Sequence, residues 1–206
     1  MTALRQSLSL FLLLMLVTTG AAFAQVLEVG GGAGVNRISN GVLASDTSTT
    51  PPTTLLQLNN GWRFGFRMTI NTQSHFGHEA GYNYVRANWD YSGATYGTAA
   101  HQGFYDFLAY ATPEGSKVRP FVAGGVGFTN FILPGSSVSQ GGGKMKFGLN
   151  YGGGVKVRVT DKWLMRLDIR QYTSPKPDFA DFGVILPAPQ GWIKMNEFSL
   201  GVAYCL

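Results

Sequence analysis

Large and small side chains alternate with a period of two through much of this chain. At its end, Phe198, Leu200, Val202, Tyr204 and Leu206 are large and apolar, and Ser199, Gly201, Ala203 and Cys205 between them are small. Successive strand side chains point to opposite faces, so this segment is predicted as a strand with one greasy wall and one closely spaced wall. Upstream the period returns with charges on the second wall. Trp62, Phe64, Phe66, Met68 and Ile70 alternate with Arg63, Gly65, Arg67, Thr69 and Asn71. Trp163, Met165, Leu167 and Ile169 alternate with Leu164, Arg166, Asp168 and Arg170. Leu149, Tyr151, Val155, Val157 and Val159 oppose Asn150, Gly152, Gly154, Lys156 and Arg158.

Eight strands follow from this pattern, over residues 26–36, 61–71, 76–87, 100–111, 117–131, 144–159, 163–172 and 192–206. Three connections are short and rich in turn residues: Thr72-Gln73-Ser74-His75, Thr112-Pro113-Glu114-Gly115-Ser116 and Thr160-Asp161-Lys162. The other four, over 37–60, 88–99, 132–143 and 173–191, are expected as long loops. Long and short connections alternate, which places all short turns at one end of an up-and-down array. Residues 104–111 are apolar enough to pass for a helix, but Gly103 and Pro113 bracket them and their neighbours are strand-like.

Two arrangements suit one apolar and one mixed wall. A soluble barrel in the periplasm would line a ligand cavity with the apolar wall. A membrane barrel exchanges the walls and shows the apolar one to lipid. The second is favoured, because the mixed wall is rich in Gly, Ala, Ser and Asn, as a narrow lumen requires. On this reading Phe64, Phe66, Met68, Leu167, Ile169, Phe198, Leu200 and Val202 face lipid. Trp62 and Trp192 at the loop end, with Trp163 and Tyr204 at the turn end, form two interfacial belts. Arg67, Glu79, Asp106, Lys156, Arg166, Asp168, Arg170 and Glu197 form a lumen charge network. Within it Glu79 and Asp168 are expected to pair with Arg67, Lys156, Arg166 or Arg170. Gly30, Gly32 and Gly34 make room on the inward wall of the first strand.

Composition agrees with a protein that hides part of its surface from water. Of 206 residues 28 are glycine, 13% are charged and 13% are aromatic. The formal charge of +5, with no basic run, gives no reason to expect nucleic acid as a partner. The one cysteine, Cys205, excludes an internal disulfide. Arg5, the apolar run 10–17 and Ala22-Phe23-Ala24 read as a cleavable signal peptide over 1–24, leaving 25–206 as the mature barrel domain. That apolar run is shorter than the about 20 residues a spanning helix needs.

The segments Phe76-Gly77-His78-Glu79-Ala80-Gly81-Tyr82-Asn83-Tyr84 and Arg119-Pro120-Phe121-Val122-Ala123-Gly124-Gly125-Val126-Gly127-Phe128, with the terminal strand 198–204, resemble the outer-membrane β-barrel domain family. These are the small eight-stranded barrels related to the transmembrane domain of OmpA. The resemblance implies an all-β, eight-stranded antiparallel up-and-down transmembrane barrel in the cell outer membrane. It also implies assembly by the barrel assembly machinery, which reads a terminal aromatic residue. Here the chain departs from that pattern, ending on Leu206 with Tyr204 two residues before. The peptidoglycan-binding domain of full-length relatives is expected to be absent.

No catalytic residues, cofactor or metal are expected. Barrel hydrolases of this size place a His and a Ser two residues apart on one strand face, whereas Ser74 and His75 are adjacent and His78 and His101 have no serine at that offset. His75, His78 and His101 lack metal-ligand spacing. Gly30-Gly31-Gly32-Ala33-Gly34 and Gly141-Gly142-Gly143 match neither phosphate-loop pattern. Asp178, Phe179, Asp181 and Phe182 are read as solvated loop residues. The expected role is structural, or surface interaction through four long extracellular loops. A narrow pore is the alternative, and a soluble periplasmic ligand-binding barrel comes third.

Overall fold

A computed structural model describes residues 26–46, 48, 50–51, 53–91, 93–132, 143–177 and 191–206. The expected signal peptide and the loop residues Asp178, Phe179, Asp181 and Phe182 lie outside these. Ten strands occur among the described residues: β1 (Val26–Ser39), β2 (Val42–Asp46), β3 (Thr53–Leu58), β4 (Gly61–Gln73), β5 (Phe76–Tyr91), β6 (Ala94–Tyr110), β7 (Val118–Ile132), β8 (Gly143–Arg158), β9 (Trp163–Pro175) and β10 (Trp192–Cys205). Residues 104–111, where a helix competed in the sequence, lie mostly within β6.

Eight of these strands close into an antiparallel barrel. Each of β4 to β10 pairs with its sequence neighbour, and β1 pairs with β4 on one side and β10 on the other. The closing seam runs from Glu28 opposite Cys205 to Ser39 opposite Lys194. Closure leaves no unpaired edge, which is the only way a sheet satisfies its backbone where no water is present. The seam is close because β1 is glycine-rich. A Cβ at Gly30 would lie 2.8 Å from that of Ala203, and one at Gly34 2.7 Å from that of Ser199.

The remaining two strands form a hairpin from the first long connection. β3 pairs with β5 beyond the end of β4, Leu58 lying opposite Trp89 while Trp62 lies opposite Arg86. β3 therefore continues the line of β4 along the same edge of β5. β2 pairs in turn with β3. The chain bends between β1 and β2 at Asn40, where φ is +62°, and Leu58 N–H donates to the Gly41 carbonyl at 2.8 Å. Asn60 Oδ1 accepts from Ile38 N–H at 2.8 Å. Residues 37–60, expected as one long loop, thus hold the end of β1 and two further strands.

Most of the second expected long loop is also strand, residues 88–91 in β5 and 94–99 in β6. β5 and β6 remain paired from Phe76 opposite Ala109 out to Tyr91 opposite Ala94. Only two residues then join them, and Gly93 takes the left-handed φ of +81° that a tight hairpin turn demands. The alternation Val85, Ala87, Trp89 carries strand character past the expected end at Ala87.

Inside and outside are sharply different. The outward rows are exposed and apolar, with Phe147 73% exposed and Leu167 60%. The inward rows are buried, charged and polar through the middle of the barrel. At the long-connection end they turn apolar, where Leu43, Leu56 and Leu58 of the hairpin pack with Val85, Ala87, Trp89, Ala100, Phe131, Ile193 and Met195.

Candidate functional site

The lumen holds the chain's concentrated chemistry, built from alternate residues of six strands. β4 supplies Arg63 and Arg67, β5 Glu79, β6 Asp106, β8 Lys156, β9 Arg166, Asp168 and Arg170, and β10 Glu197, all buried. Period-two alternation alone puts these on one wall, since each is an even number of residues from its strand's other inward positions. The glycines facing them leave space for their length. A Cβ at Gly152 would come within 2.7 Å of the Arg170 Cα and 3.0 Å of its Cγ.

At the centre three carboxylates meet three guanidinium groups. Glu79 accepts from Arg166, whose second nitrogen lies 3.2 Å away, from Arg170 Nη2 at 2.7 Å and from Thr69 Oγ1 at 2.7 Å. Asp168 accepts from Arg166 Nε and Nη2, each at 2.8 Å, and from Arg170 Nε at 3.3 Å. Arg67 Nη1 stands 3.2 Å from Asp168 and 3.7 Å from Glu79. Asp106 is held by Arg170. The forked, multiply bonded geometry suits buried arginine, whose planar donors engage two carboxylates at once.

Two further layers flank this cluster. Toward the long-connection end Arg63 pairs with Glu197 and donates to Asn83 Oδ1 at 2.5 Å. Asn83 donates onward to the Tyr172 hydroxyl at 3.1 Å, and Ser199 Oγ donates to Glu197 at 2.6 Å. Toward the short-turn end Lys156 pairs with Glu28 and donates to the Tyr110 hydroxyl at 2.8 Å, while Asn71 donates to Glu28 at 2.8 Å. At that mouth Arg119 pairs with Glu114, which Arg158 also reaches at 3.3 Å. The Arg119 guanidinium lies 3.7 Å from the centre of the Tyr110 ring.

All eight expected lumen charges are therefore inside, and most of the expected pairings among them form. Lys156 is the exception: its carboxylate is Glu28, and neither Glu79 nor Asp168 reaches it. Arg63, Glu28, Arg119 and Glu114 were not among the expected members. Arg63 carried a readable signal, because it stands four residues before Arg67 on the same wall. Glu28 carried the same signal, since it stands two residues before Gly30 on the inward wall of the first strand.

The outward residues expected to meet lipid, Phe64, Phe66, Met68, Leu167, Ile169, Phe198, Leu200 and Val202, all point away from the lumen and are exposed. Trp62 and Trp192 lie outward at the long-connection end, and Trp163 lies outward at the other. Trp62 stacks on Phe64 at 6.0 Å, and Trp163 meets Tyr204 edge-on at 5.2 Å. His78 and His101 also face outward, each bonded to a tyrosine hydroxyl, that of Tyr105 at 2.8 Å for His78 and that of Tyr82 for His101. Among the described residues no group of His, Cys, Asp or Glu is arranged to hold a metal ion. No helix among them is long and apolar enough to cross a membrane, which says nothing about strands.

Comparison with solved structures finds the same architecture at low sequence identity. The outer membrane protein OprG of Pseudomonas aeruginosa superposes with a TM-score of 0.59 at 12% identity, over 89% of this chain and 96% of that one. Neisserial surface protein A gives 0.58 at 14% identity, over 86% and 96%. The N-terminal β-barrel domain of P. aeruginosa OprF gives 0.52 at 13% identity, over 88% and 97%. No curated protein matches the sequence itself. Residues 9–205 do match the outer membrane protein β-barrel domain. With the closed eight-stranded wall already described, that match shows that the chain belongs to the outer membrane protein β-barrel domain family, resident in the outer membrane.

Proposed function

We propose that this barrel is a non-conducting, non-catalytic component of the outer membrane, with a structural or surface-interaction role exerted from its long-connection end. The observation that carries the reading is the filling of the lumen. Ion-paired layers occupy its middle and its short-turn end, and a packed apolar cluster occupies the other end. The enclosed space beside Glu28, Arg67 and Asp168 is about 10 Å³, room for about one water. That beside Leu58, Trp89 and Phe131 is likewise about 10 Å³. Neither of these two spaces is wide enough to pass a solute.

The outward rows serve as the lipid contact, with Trp62, Trp163, Trp192 and Tyr204 at its two boundaries. The lumen ions hold the wall shut. In a medium of low dielectric their worth lies in mutual completeness, because an unpaired buried charge is far costlier than a paired one. The hydroxyls of Thr69 and Ser199 donate to carboxylates that arginines already engage in the ion network, and that of Thr95 donates to Asp90, which Asn59 also holds. The barrel assembly machinery is the partner that the family membership implies.

A second reading, a narrow pore, draws on Arg67. It stands 3.2, 3.7 and 3.9 Å from carboxylates of Asp168, Glu79 and Glu197, so it has alternative partners along the lumen axis. Planar-bilayer recordings of the purified, folded protein separate the two. The closed-barrel reading expects a silent trace, and steady unitary openings would replace it with the pore.

A further inference from the structure

At the long-connection end, three outward rows change abruptly from apolar to cationic. On β1 the row Val29, Ala33, Val35 reaches Arg37; on β5 the row Ala80, Tyr82, Tyr84 reaches Arg86, with Asn88 and Asp90 beyond it; on β10 the row Val202, Leu200, Phe198 passes Asn196 to Lys194, with Trp192 beyond it. All three cations are exposed, and none has a carboxylate partner among the described residues. The strands are neighbours in the wall, in the order β5, β4, β1, β10. Arg37 lies opposite Asn196, one position pair from Lys194, which lies opposite Ser39. Trp62 of β4, exposed at the same boundary, lies opposite both Val35 and Arg86. With strands spaced about 4.8 Å apart, the arc from Arg86 to Lys194 spans roughly 14 Å.

Two details bear on what fills this arc. The Arg86 guanidinium rests where a side chain at Gly97 of β6 would stand, so it spreads along the wall at the edge of the apolar surface. The outward rows of β1, β4 and β10 hold no acid, and the one on β5, Asp90, is engaged by Asn59 at 2.5 Å and Thr95 at 2.7 Å. By contrast, the exposed lysines at the short-turn end, Lys117 and Lys162, are interleaved with Glu114 and Asp161. Cations set directly above aromatic and aliphatic rows match a ligand with a phosphate head and acyl chains below it. Guanidinium groups favour phosphate through paired donors.

We infer that Arg37, Arg86 and Lys194, with Trp62 between them, form a binding surface for the phosphorylated headgroup of an outer-leaflet lipid. The inference rests on the proposed orientation, with the long connections facing outward. The test uses the folded, full barrel in detergent with added lipid A, phosphatidylglycerol, phosphatidylcholine or inorganic phosphate, and counts retained lipid by native mass spectrometry. The wild type retains lipid A and, more weakly, phosphatidylglycerol, and releases both as salt rises. Arg37→Gln, Arg86→Gln and Lys194→Gln together reduce retention, roughly fivefold for each cation removed. Arg37→Lys with Arg86→Lys keeps most of it, while Lys117→Gln with Lys162→Gln leaves it unchanged. Heat-sensitive gel mobility establishes that each variant is folded. The idea is overturned if the triple Gln variant holds as much lipid as wild type, or if the short-turn pair loses as much. Equal retention of phosphatidylcholine, or displacement by inorganic phosphate at equal concentration, overturns it as well. None of these readouts depends on conductance, so a pore would not be mistaken for failure here.

Discussion

Arg166 on β9 spans the full width of the lumen to Glu79 on β5, the strand diametrically opposite, and the two meet through both guanidinium nitrogens of the fork. Glu79 is wholly buried and also holds Arg170 and Thr69. Replacing it by Ala strands several donors at once. Glu79→Ala is therefore expected to destabilise the barrel by about 3–5 kcal/mol. The check is the urea midpoint in lipid vesicles, followed by heat-sensitive gel mobility; a shift worth under about 1 kcal/mol would argue that the centre is hydrated.

The layer nearest the short turns offers a cleaner coupling test. Lys156 and Glu28 form an isolated pair apart from the bonds to Tyr110 and Asn71. Lys156→Met alone leaves a buried carboxylate without its cation, whereas Lys156→Met with Glu28→Gln removes both charges. The double variant is expected to be the more stable of the two, with a coupling energy of about 1–3 kcal/mol. Additive losses would show that the pair does not interact.

On the proposed reading the lumen has two seals, the ion layers and the apolar cluster, so opening one is expected not to be enough. Leu56→Ser with Leu58→Ser loosens the apolar cluster at the long-connection end. The trace in planar bilayers is expected to stay silent, because the ion layers below are untouched. Conductance from this variant alone would mean that the charged layers do not block flow.

Depth along the wall sets the cost of a misplaced charge outside. Leu167 lies between Val155 and Leu200 in the middle of the apolar band. Leu167→Arg is expected to cost about 2–4 kcal/mol, and Trp62→Arg at the boundary about 0–1 kcal/mol. Equal costs at the two depths, measured by unfolding from vesicles, would contradict lipid contact.

Orientation can be read from intact cells. Thr95 is exposed near the tip of the β5–β6 hairpin, and Lys162 sits in a short turn at the opposite end. A membrane-impermeant thiol reagent is expected to label Thr95→Cys and to miss Lys162→Cys, while native Cys205 is buried. Labelling only of Lys162→Cys would invert the topology.

The wall was legible in the sequence because it obeys one rule. Period-two alternation located eight strands and separated Phe64 from Arg63 or Leu167 from Arg166 without any tertiary information. Turn chemistry located the short connections for the same local reason. What stayed hidden depends on register and tilt. That Lys156 meets Glu28 across the lumen follows only once every neighbouring pair of strands has been aligned. The hairpin β2–β3 was hidden by Ser, Thr and Pro residues between its strands, which read as loop, although Leu43, Leu56 and Leu58 join the apolar cluster at the long-connection end. The extension of β5 was visible in Val85, Ala87 and Trp89, but a large apolar residue such as Trp89 departs from the small and charged residues expected on the inward wall.

Three of the ion pairs join parts of the chain that are remote in sequence: Glu28 with Lys156, Glu79 with Arg166, Arg63 with Glu197. None can be completed by a single hairpin. Until β1 meets β10 the half-built sheet is a trough whose charged floor stays wetted by solvent. Dehydrating that floor and zipping the last seam are then expected to be one event, so that insertion would be all-or-none.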